Sequence, residues 1–553
     1  MALINQRFVH TPYCERNLIP AMTPKEILMI RLTEIKLPLD HDENAIGQAI
    51  INKLNISPEQ LHSYNVFKRG YDARKKSAIL LIYTLDVEVD NEAQLLTSFE
   101  KDQHVKVSPD TNYKFVAHAN SSIKERPVVI GFGPCGLFAG LVLAQMGFNP
   151  IILERGKEVR ERTKDTFGFW RKKALNTESN VQFGEGGAGT FSDGKLYSQV
   201  KDPKHYGRKV ITEFVEAGAP EEILYVSKPH IGTFKLVTMI EKMRARIIEL
   251  GGEIRFSTRV DDIHLDNGQV TGLTLSNGEQ LETRHVILAV GHSARDTFKM
   301  IHDKGIYVEA KPFSVGFRIE HKQSMIDECR FGDNAGNPIL GSADYKLVHH
   351  CNNGRTVYSF CMCPGGTVVA ATSEEGRVVT NGMSQYSRSE RNANSAIVVG
   401  ISPEKDFPGH PLAGIDLQRK LEEQAYELGG KNYDAPAQLI GDFLKVVEVE
   451  NSKRIKLAPK EKKVKEKKER QVKAEVEVKV EKIRVEKKEK KAKAKKEEES
   501  KPQVTLKIGD RVRMQDGKAV GTLEKIEKNK ATVNYGVFTS KVSLTELEYV
   551  QPK

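Results

Sequence analysis

PVVIGFGPCGLFAGLVLAQMGFNPIILERG, residues Pro127 to Gly156, is the stretch that decides the fold. Pro127 to Ile130 is an apolar run of the buried-strand type. It enters Gly131-Phe132-Gly133-Pro134-Cys135-Gly136, after which Leu137 to Met146 reads as a helix. Asn149 to Leu153 is a second apolar strand, ending at Glu154 and Arg155. Gly131 admits a tight turn out of the strand. Gly133 lets backbone N–H groups approach a diphosphate, and Gly136 lets the helix pack close to the strand. The helix N-terminus then offers unpaired N–H groups and a favourable dipole to the phosphate charge. Glu154 follows Gly136 by 18 residues, the place from which a carboxylate accepts hydrogen bonds from adenosine ribose hydroxyls. An acid there disfavours a 2′-phosphate, so FAD or NAD is expected over NADP.

Downstream residues select FAD. Asp261 to Glu282 reads as a β-meander with turns at Asn267-Gly268 and Asn277-Gly278, leading into the apolar strand from His285 that ends at Gly291. This order is similar to that of flavoprotein disulfide reductases and their relatives, which place such a strand and glycine beside the cofactor. A second glycine cluster runs Gly184-Glu185-Gly186-Gly187-Ala188-Gly189-Thr190, then Ser192-Asp193-Gly194-Lys195. A loop of this kind exposes backbone N–H groups that can wrap an anion or a flavin edge. Phe183, Phe191 and Leu196 would anchor it. Ser192, Asp193 and Lys195 are expected to add polar contacts, with Lys195 near the flavin N1–C2 carbonyl.

Four separated motifs carry a further resemblance: the glycine fingerprint, the GEGGAGTFSDGKL loop, the basic KRGYDARKK turn (Lys68 to Lys76) and the FCMCPGG segment (Phe360 to Gly366). Together they resemble a family of bacterial, uncharacterised FAD-dependent proteins called NAD(FAD)-utilising dehydrogenases, over about Ile30 to Leu444. The resemblance implies bound FAD, an N-terminal α+β module and no assigned substrate. That family ends in another Gly-rich strand-helix covering the flavin. Here Gly441-Asp442-Phe443-Leu444 runs straight into a charged tract, so the second domain reads as truncated. Cys361 and Cys363 are expected to be structural, because the usual flavin-coupled motif is Cys-x-x-Cys. His230 and His292 are possible proton donors, more often structural.

The fold class expected is α/β. A Rossmann-like FAD-binding domain with its β-meander spans 121–300, and a mixed α+β second domain spans 301–444. An extension (1–25) and an α+β module (26–120) precede them. A charged linker (445–501) and an SH3-like small barrel (502–553) follow. The linker is mostly Lys, Glu, Val and Ala and cannot bury a core. Residues 504–550 resemble the small barrel of bacterial MutS-related recombination-suppressing ATPases. The basic KRGYDARKK turn reads as a solvated loop, with RNA or another anionic ligand as the sharper alternative.

Among 553 residues the net charge is +11, much of it from the linker, and the six cysteines are too scattered for a disulfide framework. No zinc spacing is present. Val128 to Phe148 is apolar, but its internal glycines and Pro134 fit strand-turn-helix better than a membrane span. These features lead to the expectation of a cytoplasmic protein without a membrane partner. The leading functional expectation is an FAD-dependent oxidoreductase taking electrons from a reduced nicotinamide or a small substrate. Two alternatives are a nucleic-acid-binding fusion carrying a non-catalytic flavoprotein remnant, and a flavoprotein acting on RNA.

Overall fold

The computed structural model describes residues 29–120, 123–198, 200–445, 506–514, 520–527, 529–534 and 539–550. The expected extension and nearly all of the charged linker lie outside these residues. The chain divides into two compact units, 1–437 and 438–553.

The first unit opens with β1 (Ile30–Pro38), α1 (Ala45–Leu54), β2 (Leu61–Asp72), β3 (Leu80–Val89), α2 (Glu92–Ser98) and β4 (Val105–Val107). The strands form an antiparallel sheet in the order β2-β3-β1-β4. Strict alternation in β3 buries Leu81, Tyr83, Leu85, Val87 and Val89 against α1 residues Ile50 and Leu54. β2 corrects the expectation of a solvated basic loop for Lys68 to Asp72, which are strand residues, while Arg74 to Lys76 are exposed bend and turn residues. The Arg69 N–H donates to Tyr225 O at 2.6 Å and the Ser227 N–H to Arg69 O at 2.9 Å. Tyr71 meets the ring of Phe331, and Ala73 and Ile79 join Phe331, Leu340 and Ala343 in a small core. The segment thus packs its strand part and Ala73 against the rest of the unit.

The central region is β5 (Val128–Ile130), α3 (Pro134–Gln145), β6 (Ile151–Leu153), α4 (Val159–Lys172), α5 (Tyr206–Glu216), α6 (Thr233–Glu249) and β7 (Glu253–Arg255). It continues with β8 (Val260–Asp266), β9 (Gln269–Leu275), β10 (Gln280–Glu282), β11 (Val286–Leu288) and α7 (Arg295–Asp303). A parallel sheet has the order β11-β5-β6-β7. β5 and β6 are buried on both faces, as helix-covered parallel strands must be. On one face Val129 and Ile152 pack with Leu137 and Leu141 of α3 and Met243 and Ile247 of α6. On the other, Val128, Ile130, Ile151 and Leu153 pack with Val260, Ile263, Leu273 and Leu275 of the antiparallel meander β8-β9-β10. The chain leaves β5 toward β6 on one side, while β11 returns from far along the sequence on the other. The carboxyl end of β5 is therefore a topological switch point, where open α/β sheets form a crevice.

The remainder of this unit is β12 (Phe313–Lys322), α8 (Gln323–Phe331), β13 (Val348–His350), β14 (Thr356–Cys363), β15 (Gly366–Ala370), β16 (Thr380–Ser384), β17 (Asn392–Ile401), α9 (Pro403–Asp406) and α10 (Ala413–Gly429). β12-β17-β14-β13 is an antiparallel sheet and β15-β16 a hairpin. β17, central in that sheet, was not expected from the sequence. Buried Arg295 of α7 ties this region to the central one through Glu374 and Glu422 of α10.

The second unit holds α11 (Ile440–Lys445) and the strands β18 (Arg511–Met514), β19 (Val520–Glu527), β20 (Lys530–Asn534), β21 (Thr539–Ser543) and β22 (Leu547–Tyr549). They form an antiparallel sheet in the order β21-β20-β19-β18-β22 around Val512, Leu523, Ala531, Val533 and Leu547. β21 and β22 are its edges among the described strands. No described helix is long and apolar enough to cross a membrane.

Candidate functional site

A cleft of about 510 Å³ opens at the carboxyl end of β5. Gly131, Gly133, Pro134 and Cys135 of the first glycine turn line it, with Glu154 and Arg155 from the end of β6. Gly184, Gly187, Ala188 and Gly189 of the second glycine loop form another wall, and Gly291 and His292 lie beyond β11. The meander contributes Arg259 and Val260, and the start of α7 contributes Ser293 and Thr297. Helix α3 begins with Pro134 at its first turn, and no side chain caps its N-terminus at Gly133. Its first N–H groups are thus directed to the cleft without a protein side chain in attendance. Gly136 does not line the cleft. A Cβ there would lie 1.8 Å from Gly131 O, so its role is the close helix-to-turn approach.

Glu154 is buried and stitches both glycine loops together. Its Oε2 accepts the Phe132 N–H at 2.7 Å, and its Oε1 accepts the N–H groups of Gly156 at 2.8 Å and Gly184 at 2.9 Å. A carboxylate has about four lone-pair positions, and three are taken. The two loops also touch directly: the Gly186 N–H donates to Phe132 O at 2.8 Å. A Cβ on Gly187, whose φ is +58°, would lie 2.8 Å from Gly133 Cα.

Arg162, on α4, organises the second loop and was not singled out in the sequence. It is fully buried. Its Nε donates to Asn180 O at 2.8 Å, Nη2 to Val181 O at 2.7 Å and Nη1 to Glu185 O at 2.7 Å, with longer contacts to Gly184 O and Thr190 Oγ1. Burial pushes its pKa down to about 10. The signal was in the periodicity: Val159, Arg162, Thr166 and Phe169 are the buried stripe of α4, with the arginine on an otherwise uncharged face.

Several residues of the second loop do not line this cleft. Glu185 is fully buried, caps the start of α4 through the Val159 N–H at 2.7 Å and faces Arg244 at 3.2 Å. Burial raises its pKa to about 7, against the Val159 hydrogen bond and the Arg244 charge. Gly186 and Thr190 are interior to the loop, and Ser192 Oγ donates to Gly189 O at 2.7 Å. Lys195 is not among the residues lining the cleft. Asp193 is 1% exposed and must be paired, so Lys195 Nζ sits 2.7 Å from Asp193 Oδ2 and Arg388 clasps the same carboxylate at 2.5 and 2.9 Å. His230 is structural: its Nε2 lies 2.9 Å from Tyr386 O and its ring stacks on Tyr386. His292 remains at the cleft, where burial and then Arg295 lower its pKa.

The cations at the rim are already compensated. Arg155 lies on the Phe183 ring and pairs with Glu178 and Asp296, while Arg259 pairs with Glu178 and Asp261. An anion entering the cleft would be met chiefly by backbone N–H groups and the α3 dipole. No group of three or more metal-ligating side chains occurs among the described residues.

Sequence matches over parts of the chain are to flavin-dependent proteins, an oxidoreductase family among them. Residues 312–499 match a model described as "FAD-dependent protein, C-terminal domain-like", and residues 216–332 match "Flavin containing amine oxidoreductase". Residues 29–88 match a domain of unknown function. An uncharacterised protein of Clostridium beijerinckii is 45% identical over 420 residues, covering 76% of this chain and 78% of that protein. The chain belongs to the family of that protein. Solved structures with some likeness include Thermovibrio ammonificans THI4, at 19% identity and a TM-score of 0.23, covering 34% of this chain and 66% of that one. Another is the glycerol-3-phosphate dehydrogenase of Bacillus halodurans complexed with FAD, at 14% and 0.25, covering 58% of this chain and 55% of that one.

Proposed function

We propose that this protein holds FAD in the β5 cleft and uses it to oxidise or reduce a small molecule, with a reduced nicotinamide as one candidate donor. The observation that carries the reading is the pair of glycine loops, pressed together and opening beside the uncapped start of α3. The closely approached Gly133 and Gly187 leave room that a Cβ would fill. The diphosphate would rest on backbone N–H groups of the first glycine turn, at Gly133 and Cys135. Glu154 would offer its remaining lone-pair position to a ribose hydroxyl while its other positions hold the loops. The flavin supplies two-electron transfer chemistry when bound. This chain's residues position it, exclude water from the diphosphate and keep rim charges balanced.

The test is the visible spectrum of the purified full-length protein and the identity of any chromophore released on denaturation. FAD release, or acquisition of flavin absorbance on adding FAD, is expected. Glu154→Gln should weaken retention, because an amide nitrogen cannot accept a hydrogen bond from ribose or from the loop N–H groups. A protein that stays colourless with excess FAD and shows no thermal shift with it refutes the reading.

A further inference from the structure

Beyond the cleft, the second glycine loop ends beside β14, whose last residues include Cys361 and Cys363. The pairing of β14 with β17 is interrupted between Phe360 and Cys363, and Cys361 has φ +45°, in the left-handed region. Irregular strand geometry with a strained non-glycine residue is the kind of feature that persists where surrounding contacts enforce it, often at sites of chemistry. Arg318 of β12 does the enforcing. Its Nη2 donates to Cys361 O at 2.9 Å and lies 3.8 Å from Cys363 Sγ, while its Nε donates to Asn394 Oδ1 at 2.8 Å. Asn394, on β17, is fully buried, and its Nδ2 has no hydrogen-bond partner among the described residues. Cys363 is fully buried and its Sγ lies 3.4 Å from Cys361 O, whereas Cys361 is only partly buried.

We propose that Cys361 and Cys363 form a thiol–disulfide exchange site for a small disulfide, with Cys361 as the attacking thiolate and Cys363 as the resolving thiol. The Cys361 sulfur forms a bond to one sulfur of the substrate, the substrate S–S bond breaks, and the departing thiolate takes a proton. Cys363 then attacks Cys361, its own proton passing to the second departing thiolate. An intramolecular S–S bond remains. The two cysteines are oxidised and the disulfide is reduced to two thiols, so electrons and protons balance. A ring closed over one intervening residue is strained, which makes its disulfide a ready oxidant rather than a permanent crosslink.

The surroundings suit this division of labour. The neighbouring Cys363 thiol lowers the Cys361 pKa, burial opposes this, Lys195 and Arg318 lower it further, and Asp193 works against them. The neighbouring Cys361 and burial push the Cys363 thiol up, so the proton stays on the inner sulfur. Thiolate character on the more accessible sulfur is what exchange requires.

Trypsin isolates both cysteines in one fragment, Thr356 to Arg377, free of the other four. The full-length protein is treated with iodoacetamide across pH and, separately, with glutathione disulfide, and this fragment is weighed. Alkylation of Cys361 should show a midpoint well below the roughly 8.5 of an unperturbed thiol. Glutathione disulfide should remove two hydrogens from the fragment, Cys363→Ser should instead trap one glutathionyl group on Cys361, and Cys361→Ser should leave Cys363 unmodified. A midpoint at the ordinary thiol value, or a wild-type fragment unchanged by glutathione disulfide, overturns the proposal. Both wild-type readouts stand even if a variant fails to fold. They are also independent of bound flavin, so failure here and failure of the FAD reading are separate results.

Discussion

Replacing Arg162 by Met should cost about 3–5 kcal/mol of stability and loosen the loop that walls the cleft. The guanidinium is fully buried and makes three hydrogen bonds of 2.7–2.8 Å to the carbonyls of Asn180, Val181 and Glu185. Methionine fills much of the volume but donates nothing, leaving three carbonyls unpaired at about 1–3 kcal/mol each. Relief from burying a cation offsets part of that loss, and breaking a buried charged network by removing one partner typically costs about 3–5 kcal/mol. Gly184, Gly187 and Ala188 belong to the loop this side chain braces, so FAD would have to order them on binding. Urea denaturation measures the first effect, and titration of flavin-free protein with FAD measures the second. Arg162→Lys should recover only part of each, since an ammonium lacks the planar fork that reaches several carbonyls together. If Arg162→Met lies within about 0.5 kcal/mol of wild type and binds FAD equally well, the loop does not depend on this side chain and the reasoning fails.

Other consequences follow from the same geometry. Glu185 has its pKa raised to about 7 in the folded protein, above the ordinary 4.5, so the folded state holds the proton more tightly. The associated stability is present at low pH and is lost as pH rises toward and through about 7, by on the order of 3 kcal/mol in total. Glu185→Gln should flatten that part of the stability–pH curve, and urea midpoints that fall equally in variant and wild type between acidic and mildly alkaline pH would refute this. Gly187→Ala places a methyl 2.8 Å from Gly133 Cα and 3.2 Å from Pro134 Cδ at a φ of +58°, so the two loops must part. FAD affinity should fall at least about tenfold, near 1.4 kcal/mol, and an unchanged titration curve would show that the loop contact is not part of the binding site.

The strand, turn, helix and second strand from Val128 to Leu153 were legible because each is fixed by neighbours along the chain. Apolar strand residues, glycines at set spacing and an acid at the strand end constrain a local path that a parallel sheet then accepts. The meander was legible for the same reason, through its two Asn-Gly turns. β17 was hidden: Asn392-Ala-Asn-Ser-Ala-Ile-Val-Val-Gly-Ile401 lacks simple alternation of polar and apolar residues, and alternation is what marks a half-buried strand.

The site divided along the same line. The sequence by itself determined that Gly131, Gly133 and Glu154 would meet at one turn, because only a short crossover separates them. Only the tertiary structure decided that Glu154 would bond to Gly184, that Arg162 would hold the loop around it, and that Arg388 would join Lys195 on Asp193. Asp193 and Arg388 are 195 positions apart, and nothing local specifies their contact. A buried carboxylate requires a counter-charge, but which cation supplies it depends on how the sheets pack, and that is settled over the whole chain at once.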